Sequence, residues 1–226
     1  MEQIYKSHLD NDLYKFHMGS FFWDQHRGID AEYAYRCRDN SIDLTCIEYE
    51  LKEQIIAMRD ITLTPDEKRW LFENTMVTGD YLNNFLNHFQ FDPHQVIINR
   101  IPENPGLDIR VHGPIEEASL WEIPLMYIIS ELYFTKKYGS LNKAVMQATE
   151  DFSRKAANVR DRRLFGFRFS EFGTRRRLCH DFQRFAVDIL CTYLPHSLIG
   201  TFNMYFAKLF NIKAVGTQAH EAFMLY

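Results

Sequence analysis

The stretch Ile212-Lys-Ala-Val-Gly-Thr-Gln-Ala-His-Glu221 decides the fold of this chain. Its apolar run over residues 212–215 indicates a buried strand, and Gly216-Thr217 ends that strand. The residues from Gln218 onward indicate the first turn of a helix. A strand that passes through Gly-Thr into a helix leaves backbone N–H groups free to bind phosphate or carboxylate oxygens.

His220 falls in this first helical turn, at the mouth of the expected cleft, and Glu221 follows it. A histidine in that place can act as a nucleophile toward a phosphoryl group or as a general acid and base. The other interpretation is a half-buried histidine near a helix start with no catalytic role, and the stretch by itself favours it.

Two similar units precede this stretch. The predicted strands cover residues 166–172, 197–200 and 212–216, and the predicted helices between them cover 177–193 and 202–210. Such alternation with short connections predicts a parallel sheet. It is also the beginning of a (β/α) barrel, although more units would be needed to close one. We therefore expect either a small open sheet or the front part of a longer protein, apparently truncated after the third strand.

All three strand ends carry a Gly-Thr pair, at Gly173-Thr174, Gly200-Thr201 and Gly216-Thr217. The carboxyl ends of parallel strands meet at one edge of a sheet, where ligands bind. We therefore expect Gly173, Thr174 and Gly216 to offer backbone contacts to a phosphate or another anion.

Three consecutive arginines, Arg175 to Arg177, follow the first of these pairs at a predicted helix start. The helix dipole repels cations there, and an anionic ligand would resolve that conflict. Arginine suits phosphates and carboxylates because its planar donors engage two oxygens at once. A solvated basic turn is the alternative, but three polar strand ends together favour an anion-binding site.

The first half of the chain mixes helices and strands without strict alternation. It predicts an N-terminal α+β domain over residues 1–122, followed by the partial barrel over residues 123–226. The first predicted helix is a surface helix that Asp10, Asn11 or Asp12 caps and that runs to Trp23. Further helices are predicted over 43–59, from Thr64 onward, and over 80–89. The predicted strands are 31–38, 94–101 and 107–112, the last two joined as a hairpin by 102–106, with 115–120 as a possible further strand. A buried helix over 121–138 and a more polar one over 141–160 lead into the barrel part.

Composition indicates a folded globular protein, because 46% of the residues are hydrophobic and 15% are aromatic. The net charge of −4 does not favour nucleic acid as a partner, and the arginine-rich run over 154–184 lacks a recognised RNA-binding pattern. The four cysteines show no paired metal spacing and, with no signal peptide, indicate reduced thiols in a cytoplasmic protein. The longest apolar run, near residues 120–130, is too short to span a bilayer, so we expect no membrane association.

Taken together, these motifs resemble the nicotinate phosphoribosyltransferase family. The matching pieces stand in the family's order over nearly the whole chain: Asp10-Asn-Asp-Leu-Tyr-Lys15, 31–38, 108–122, Glu171-Phe-Gly-Thr-Arg-Arg-Arg177, Gly200-Thr-Phe-Asn203 and Gly216-Thr-Gln-Ala-His-Glu221. The resemblance implies an α/β fold with an N-terminal domain and an irregular (β/α) barrel of the type II phosphoribosyltransferase kind. It also implies a homodimer whose active site is shared between subunits.

The resemblance further implies an enzyme of NAD salvage. Such an enzyme joins nicotinate to phosphoribosyl pyrophosphate, releases nicotinate mononucleotide and pyrophosphate, and couples the transfer to ATP hydrolysis, with Mg²⁺, through a phosphohistidine. By this resemblance, His220 matches the phosphorylated histidine, with Glu221 beside it. Thr217 matches a residue of the nicotinate site, and Tyr14 matches a tyrosine that stacks on the pyridine ring from the partner subunit. Arg175 and Arg176 would bind phosphoryl or carboxylate oxygens, and Asn203 would line the site.

The chain departs from the family's pattern in three ways. Phe202 stands where the family usually has serine and would crowd the pocket, and Ala222 stands where it usually has tryptophan. The chain is also shorter than family members, whose barrels continue. These departures leave open a truncated non-catalytic fragment or pseudo-enzyme of the same family. A related enzyme that uses quinolinate or nicotinamide is a further alternative, although the histidine motif argues against the quinolinate enzymes, which do not couple to ATP.

Overall fold

The computed structural model of the protein describes residues 2–39, 41–102, 106–161, 166–216 and 220–225, with only the backbone described at His220. In these ranges the helices are α1 (Leu13–Gln25), α2 (Glu48–Met58), α3 (Pro65–Asn74), α4 (Ile115–Ala118), α5 (Glu122–Tyr138), α6 (Leu141–Asp161), α7 (His180–Tyr193) and α8 (Met204–Phe210). The strands are β1 (Asp30–Tyr35), β2 (Val96–Arg100), β3 (Leu107–Pro114), β4 (Phe169–Glu171) and β5 (Leu198–Thr201). Short 3₁₀ turns include Thr174–Arg176 and His220–Leu225, and Tyr81–Leu86 is a π-helix.

The first three strands form an antiparallel sheet in the order β1-β3-β2. Tyr33 lies opposite Val111, and Ile98 lies opposite Ile109. Alternate side chains of β3 are buried against the helices, as expected for a sheet with one face on the core. The predicted strands 31–38, 94–101 and 107–112 are therefore confirmed, while residues 103–105 of the predicted turn lie outside the described ranges.

The prediction of a strand over 115–120 is wrong. The ladder ends at Pro114, and the chain turns into α4, followed by the 3₁₀ turn Ser119–Trp121. A proline directly before the helix and two glutamates in its first turn, Glu116 and Glu117, favour a helix start. The side chain of Glu116 also accepts the backbone N–H of Gly28 at 3.1 Å, which holds α4 against the start of β1.

The prediction of a surface helix near the N-terminus is also wrong, because α1 is buried along most of its length. Gly19 lies against the π-helix, where a Cβ would come within 2.1 Å of the Tyr81 hydroxyl. On the other side, Leu13 N donates to the carbonyl oxygen of Phe202 at 2.8 Å. Asp12 occupies the position before the helix, but its side chain makes no capping hydrogen bond. One hydrophobic cluster accordingly extends from the N-terminal segment to Phe202 and Met204.

The second part of the chain has the predicted parallel alternation. Strand β4 pairs with β5 in parallel, and β5 continues to a third segment by a parallel bridge between Thr201 and Ala214. The strand predicted over 212–216 is thus reduced to this single bridge. Gly200 is required there, since a Cβ would lie 2.1 Å from the carbonyl oxygen of Lys213. The barrel is not closed within the described residues. No helix of the described chain has both the length and the apolar character to cross a membrane.

Candidate active site

The predicted strand ends converge on the N-terminal end of α1. The segment after β5 pairs with the residues before the helix through a bridge between Asp12 and Asn203, and Met204 N donates to the carbonyl oxygen of Asn11 at 3.1 Å. The 3₁₀ turn His220–Leu225 contacts α1 from another side. The structure therefore brings most of the sequence-predicted site into one region of the molecule.

Lys15 lies at the centre of this region and is fully buried. Its Nζ lies 2.6 Å from Glu221 Oε1 and also forms an ion pair with Glu122. The Tyr33 hydroxyl donates to the other Glu221 oxygen at 3.1 Å. Burial alone would raise the pKa of Glu122, but Lys15 and then Arg175 lower it below its ordinary value. Glu221, predicted from its place beside His220, is therefore held by a cation and a hydroxyl.

Arg177 does not belong to an exposed anion-binding triplet. Its guanidinium is buried and engages both carboxylate oxygens of Asp10, at 2.6 and 2.7 Å. Asn203 donates to the same carboxylate at 2.9 Å. Three adjacent arginines in a tight turn point in different directions, so Arg177 turns inward, Arg175 is half-buried and Arg176 is exposed.

The polar groups after β4 are occupied by one another. Gly173 N, expected to be free for an anion, instead donates to Glu171 Oε1 at 2.7 Å. The hydroxyl of Thr201 donates to the other oxygen of Glu171 at 2.6 Å. Thr174 is fully buried, and its hydroxyl oxygen accepts from Gln183 at 3.1 Å and from Asn203 at 3.3 Å. The carboxylate of Glu171, two residues before the glycine, thus occupies this N–H, and the polar groups of this strand end bind one another.

Asn203 is buried below the expected site. Its side-chain oxygen accepts the N–H of Phe206 at 3.1 Å and so caps α8. Its amide nitrogen binds Asp10 and Thr174, as described above. These contacts already use the side chain. Its predicted position in the lining of a ligand pocket stays a prediction.

Aromatic rings cover the region between α1 and the arginines. Phe172 and Phe202 lie 4.2 Å apart between ring centroids, and Phe172 lies 6.4 Å from Tyr14. The guanidinium carbon of Arg175 lies 5.0 Å from the Phe172 ring, and its Nη1 donates to Glu122 at 3.4 Å. Tyr14 is buried within its own chain, and burial followed by nearby Glu122 raises its pKa. Its predicted stacking on a ligand from the partner subunit stays a prediction.

Asp12 is a buried carboxyl group that the sequence analysis considered only as a cap. Neither of its side-chain oxygens has a hydrogen-bond partner among the described residues. Burial raises the pKa of Asp12 to about 7, which the nearby Thr174 hydroxyl and then Arg175 offset only in part. The group is therefore held close to the point at which it gains or loses a proton near neutral pH.

Two adjoining cavities share Tyr35 and Met126 in their walls. The first, of about 400 Å³, is lined by Tyr33, Glu122 and Glu221, among others. The second, of about 330 Å³, is lined by Arg175 and Arg176. Such volumes are in the range that small-molecule ligands occupy. Together they form a cleft with carboxylates at one end and guanidinium groups at the other.

The segment with the predicted nucleophile is described only in part. Thr217 lies outside the described residues, and His220 begins a 3₁₀ turn where a helical turn was predicted. Gly216 lies against α1, where a Cβ would meet His17 Nδ1 at 3.3 Å. Among the described residues, no group of three or more His, Cys, Asp or Glu side chains is placed to hold a metal ion.

Helices packed on parallel strands define an α/β protein, a class in which ligands bind where the strands end. The family model for the nicotinate phosphoribosyltransferase (NAPRTase) N-terminal domain matches residues 9–130, and the model for the NAPRTase family matches residues 167–226. The chain therefore belongs to the nicotinate phosphoribosyltransferase family, which confirms the resemblance and the fold class.

Individual relatives agree with this assignment. A nicotinate phosphoribosyltransferase from Pectobacterium atrosepticum is 37% identical over 99% of this chain and 55% of its own length. One from Desulforapulum autotrophicum is 34% identical over 98% of this chain and 55% of its own length. The crystal structure of nicotinate phosphoribosyltransferase from Porphyromonas gingivalis matches with a TM-score of 0.85 at 32% identity, over 96% of this chain and 55% of that one. The chain spans little more than half the length of these relatives.

Proposed function

We propose that the protein transfers the phosphoribosyl group of phosphoribosyl pyrophosphate to nicotinate, which yields nicotinate mononucleotide and pyrophosphate for NAD salvage. The transfer is coupled to ATP hydrolysis through phosphorylation of His220. The observation that carries this proposal is the contact between Lys15 and Glu221, which anchors the segment next to His220 at the cleft. Membership of the family supports the choice of substrates.

The cleft suits a flat, anionic substrate. Nicotinate has an aromatic ring and one carboxylate, and the cleft offers Arg175 and Arg176 beside aromatic side chains. Guanidinium groups bind carboxylate and phosphoryl oxygens with paired donors. In the proposal, Tyr14 stacks on the pyridine ring in the site of a partner subunit, Thr217 contacts nicotinate, Asn203 lies in the lining of the site, and the working enzyme is a cytoplasmic homodimer.

The transfer requires little covalent chemistry from the protein itself. The pyridine nitrogen forms a bond to the anomeric carbon while the bond to pyrophosphate breaks, through an oxocarbenium-like state. The protein positions the two reactants and stabilises the leaving pyrophosphate. When it is bound with the co-substrates, Mg²⁺ would offset negative charge on their phosphate oxygens.

The coupling step is a phosphoryl transfer to a histidine. Neutral His220 attacks the γ-phosphorus of ATP, a nitrogen–phosphorus bond forms, and ADP leaves. Water later hydrolyses the phosphohistidine and regenerates the imidazole. Glu221 balances the charge of the imidazole, and the phosphorylated state tightens the site around the phosphoribosyl donor.

The test compares the rate of nicotinate mononucleotide formation, with and without ATP, in the wild type and in His220→Ala. We expect ATP to accelerate the wild type and to leave His220→Ala with only a slow, ATP-independent rate. An undiminished ATP-stimulated rate in His220→Ala rules the coupling out. Quinolinate and nicotinamide serve as competing substrates, and turnover of either in preference to nicotinate would assign the chain to the related activity.

A further inference from the structure

We propose that Lys15 is a positioning residue for the phosphorylation of His220. Its buried ammonium group bridges Glu122 and Glu221 and thereby fixes the segment that carries His220 against α1. This inference rests on the proposed function, since the histidine that it positions is the nucleophile of that proposal.

Burial makes the contacts of Lys15 obligatory. The side chain has no exposed surface, and its Nζ contacts Glu122 on α5 and Glu221 on the 3₁₀ turn His220–Leu225. A buried ammonium is costly to desolvate unless carboxylates compensate it. The lysine therefore holds together two segments that lie far apart in the sequence, since Lys15 and Glu221 are 206 positions apart.

Glu221 is the main polar anchor of its turn. Lys15 binds one of its oxygens, and the Tyr33 hydroxyl binds the other. Phe223 and Met224 are exposed, whereas Ala222 and Leu225 pack against the hydrophobic core, so Glu221 supplies the polar part of the attachment. Because Glu221 directly follows His220, its two contacts restrict where the backbone of His220 can lie.

Lys15 also separates like charges. The carboxylates of Glu122 and Glu221 both contact the single ammonium group of Lys15 and are therefore held near each other. Among the described residues, the titratable groups near this pair include Arg175, which binds Glu122, and the side chains of Tyr14, Tyr33 and Asp12, and Glu32 and Arg36 line the same cavity. Without the lysine, the two ionised carboxylates would repel each other, and a proton shared between them would relieve that repulsion.

This electrostatic role has a consequence that a packing role lacks. In Lys15→Met the two carboxylates can remain together only while they share a proton, so the turn should be held at low pH and displaced at high pH. Replacing one carboxylate as well, in Lys15→Met with Glu122→Gln, removes the repulsion. A residue that only filled space would show neither the pH dependence nor the rescue.

The experiment measures the single-turnover rate of His220 phosphorylation by ATP in four proteins: the wild type, Lys15→Met, Lys15→Met with Glu122→Gln, and Lys137→Met as an exposed control on α5. Rates are expressed relative to the wild type at each pH, so that the protonation of His220 itself cancels. We expect Lys15→Met to be roughly 10- to 100-fold slower at about pH 8, as is typical of misplaced reacting groups, and closer to the wild type at about pH 6. The double variant should recover much of the rate at about pH 8, and Lys137→Met should match the wild type.

Tyr33→Phe provides a milder test if Lys15→Met does not fold. It removes only the hydroxyl that binds Glu221 and should slow phosphorylation by about tenfold, the value of one hydrogen bond to a charged group. If the wild type is phosphorylated and the variants react at the same rate, the role of Lys15 is overturned while the proposed function stands. The same holds if Lys15→Met is slower by a factor that does not depend on pH and that Glu122→Gln does not restore. A wild type that gains no phosphoryl group overturns the proposed function itself, and with it this role.

Discussion

Arg177 and Asp10 form a buried, two-pronged ion pair that joins residues 167 positions apart. Each side chain is only 1% exposed. Burial would raise the pKa of Asp10, but the guanidinium lowers it below its ordinary value. The pair ties the N-terminal segment to the turn after β4 and so fixes one side of the candidate site.

Removing one partner of this pair should be strongly destabilising. Arg177→Met leaves a buried, uncompensated carboxylate, and we expect a loss of about 3–5 kcal/mol in the free energy of unfolding. Urea denaturation at neutral pH measures it. Arg154→Met breaks an exposed pair with Asp151 and should cost less than about 1 kcal/mol. Equal losses in the two variants would contradict the structural role of Arg177.

Asp12 should make stability depend on pH. Its folded-state pKa of about 7 lies above the value of an unfolded chain, so stability falls as pH rises between the two values. Asp12→Asn removes this ionisation and should be more stable than the wild type above about pH 7, by on the order of 3 kcal/mol. Denaturation across the pH range checks this. Asp24→Asn, on the exposed part of α1, is the control, and a difference between Asp12→Asn and the wild type that does not vary with pH would contradict the assignment.

Gly200 should tolerate no side chain. Gly200→Ala places a methyl group against the carbonyl oxygen of Lys213 and must push the third strand away from β5, at a cost of about 2 kcal/mol or more. Thermal denaturation and amide exchange at Val215, whose N–H donates to Thr201 at 2.8 Å, would report the change. Gly79→Ala, where the nearest atom lies 4.0 Å from the added carbon, should change stability by less than about 1 kcal/mol. Retained exchange protection at Val215 in Gly200→Ala would refute the close strand approach.

Arg176 should act in binding and not in stability. It is exposed and lines the second cavity, so Arg176→Met should raise the KM for nicotinate or phosphoribosyl pyrophosphate by about tenfold, the value of one hydrogen bond to a charged group. The melting temperature should stay unchanged, as it should in the exposed control Arg69→Met. Which substrate's KM rises identifies the anion that the arginine binds. Unchanged KM values for both substrates would remove Arg176 from the site.

Sequence patterns predicted the parallel alternation of the second part because strands and helices differ in their hydrophobic period. The same patterns failed over 115–120, where six residues of mixed polarity are too few to distinguish a strand from a helix. They also failed at α1, which was expected on the surface. A helix that is buried on several sides lacks the one-sided stripe on which such predictions depend.

The candidate site could be predicted only where a motif was local. Gly-Thr pairs and His220-Glu221 were visible along the chain, but the partners of Lys15 were not, because an ion pair between distant residues leaves no local signal. A lysine in an otherwise apolar helix was the available clue. The separate directions of Arg175, Arg176 and Arg177 depend on the turn that holds them, which residue type alone does not determine.

The most direct test of the central claim is the intact mass of the protein before and after incubation with ATP and Mg²⁺, followed by addition of nicotinate and phosphoribosyl pyrophosphate. The account predicts that the wild type gains one phosphoryl group, that His220→Ala gains none, and that the substrates discharge the group as nicotinate mononucleotide forms. A wild type whose mass does not change, or a His220→Ala variant that is phosphorylated to the same extent, would contradict it.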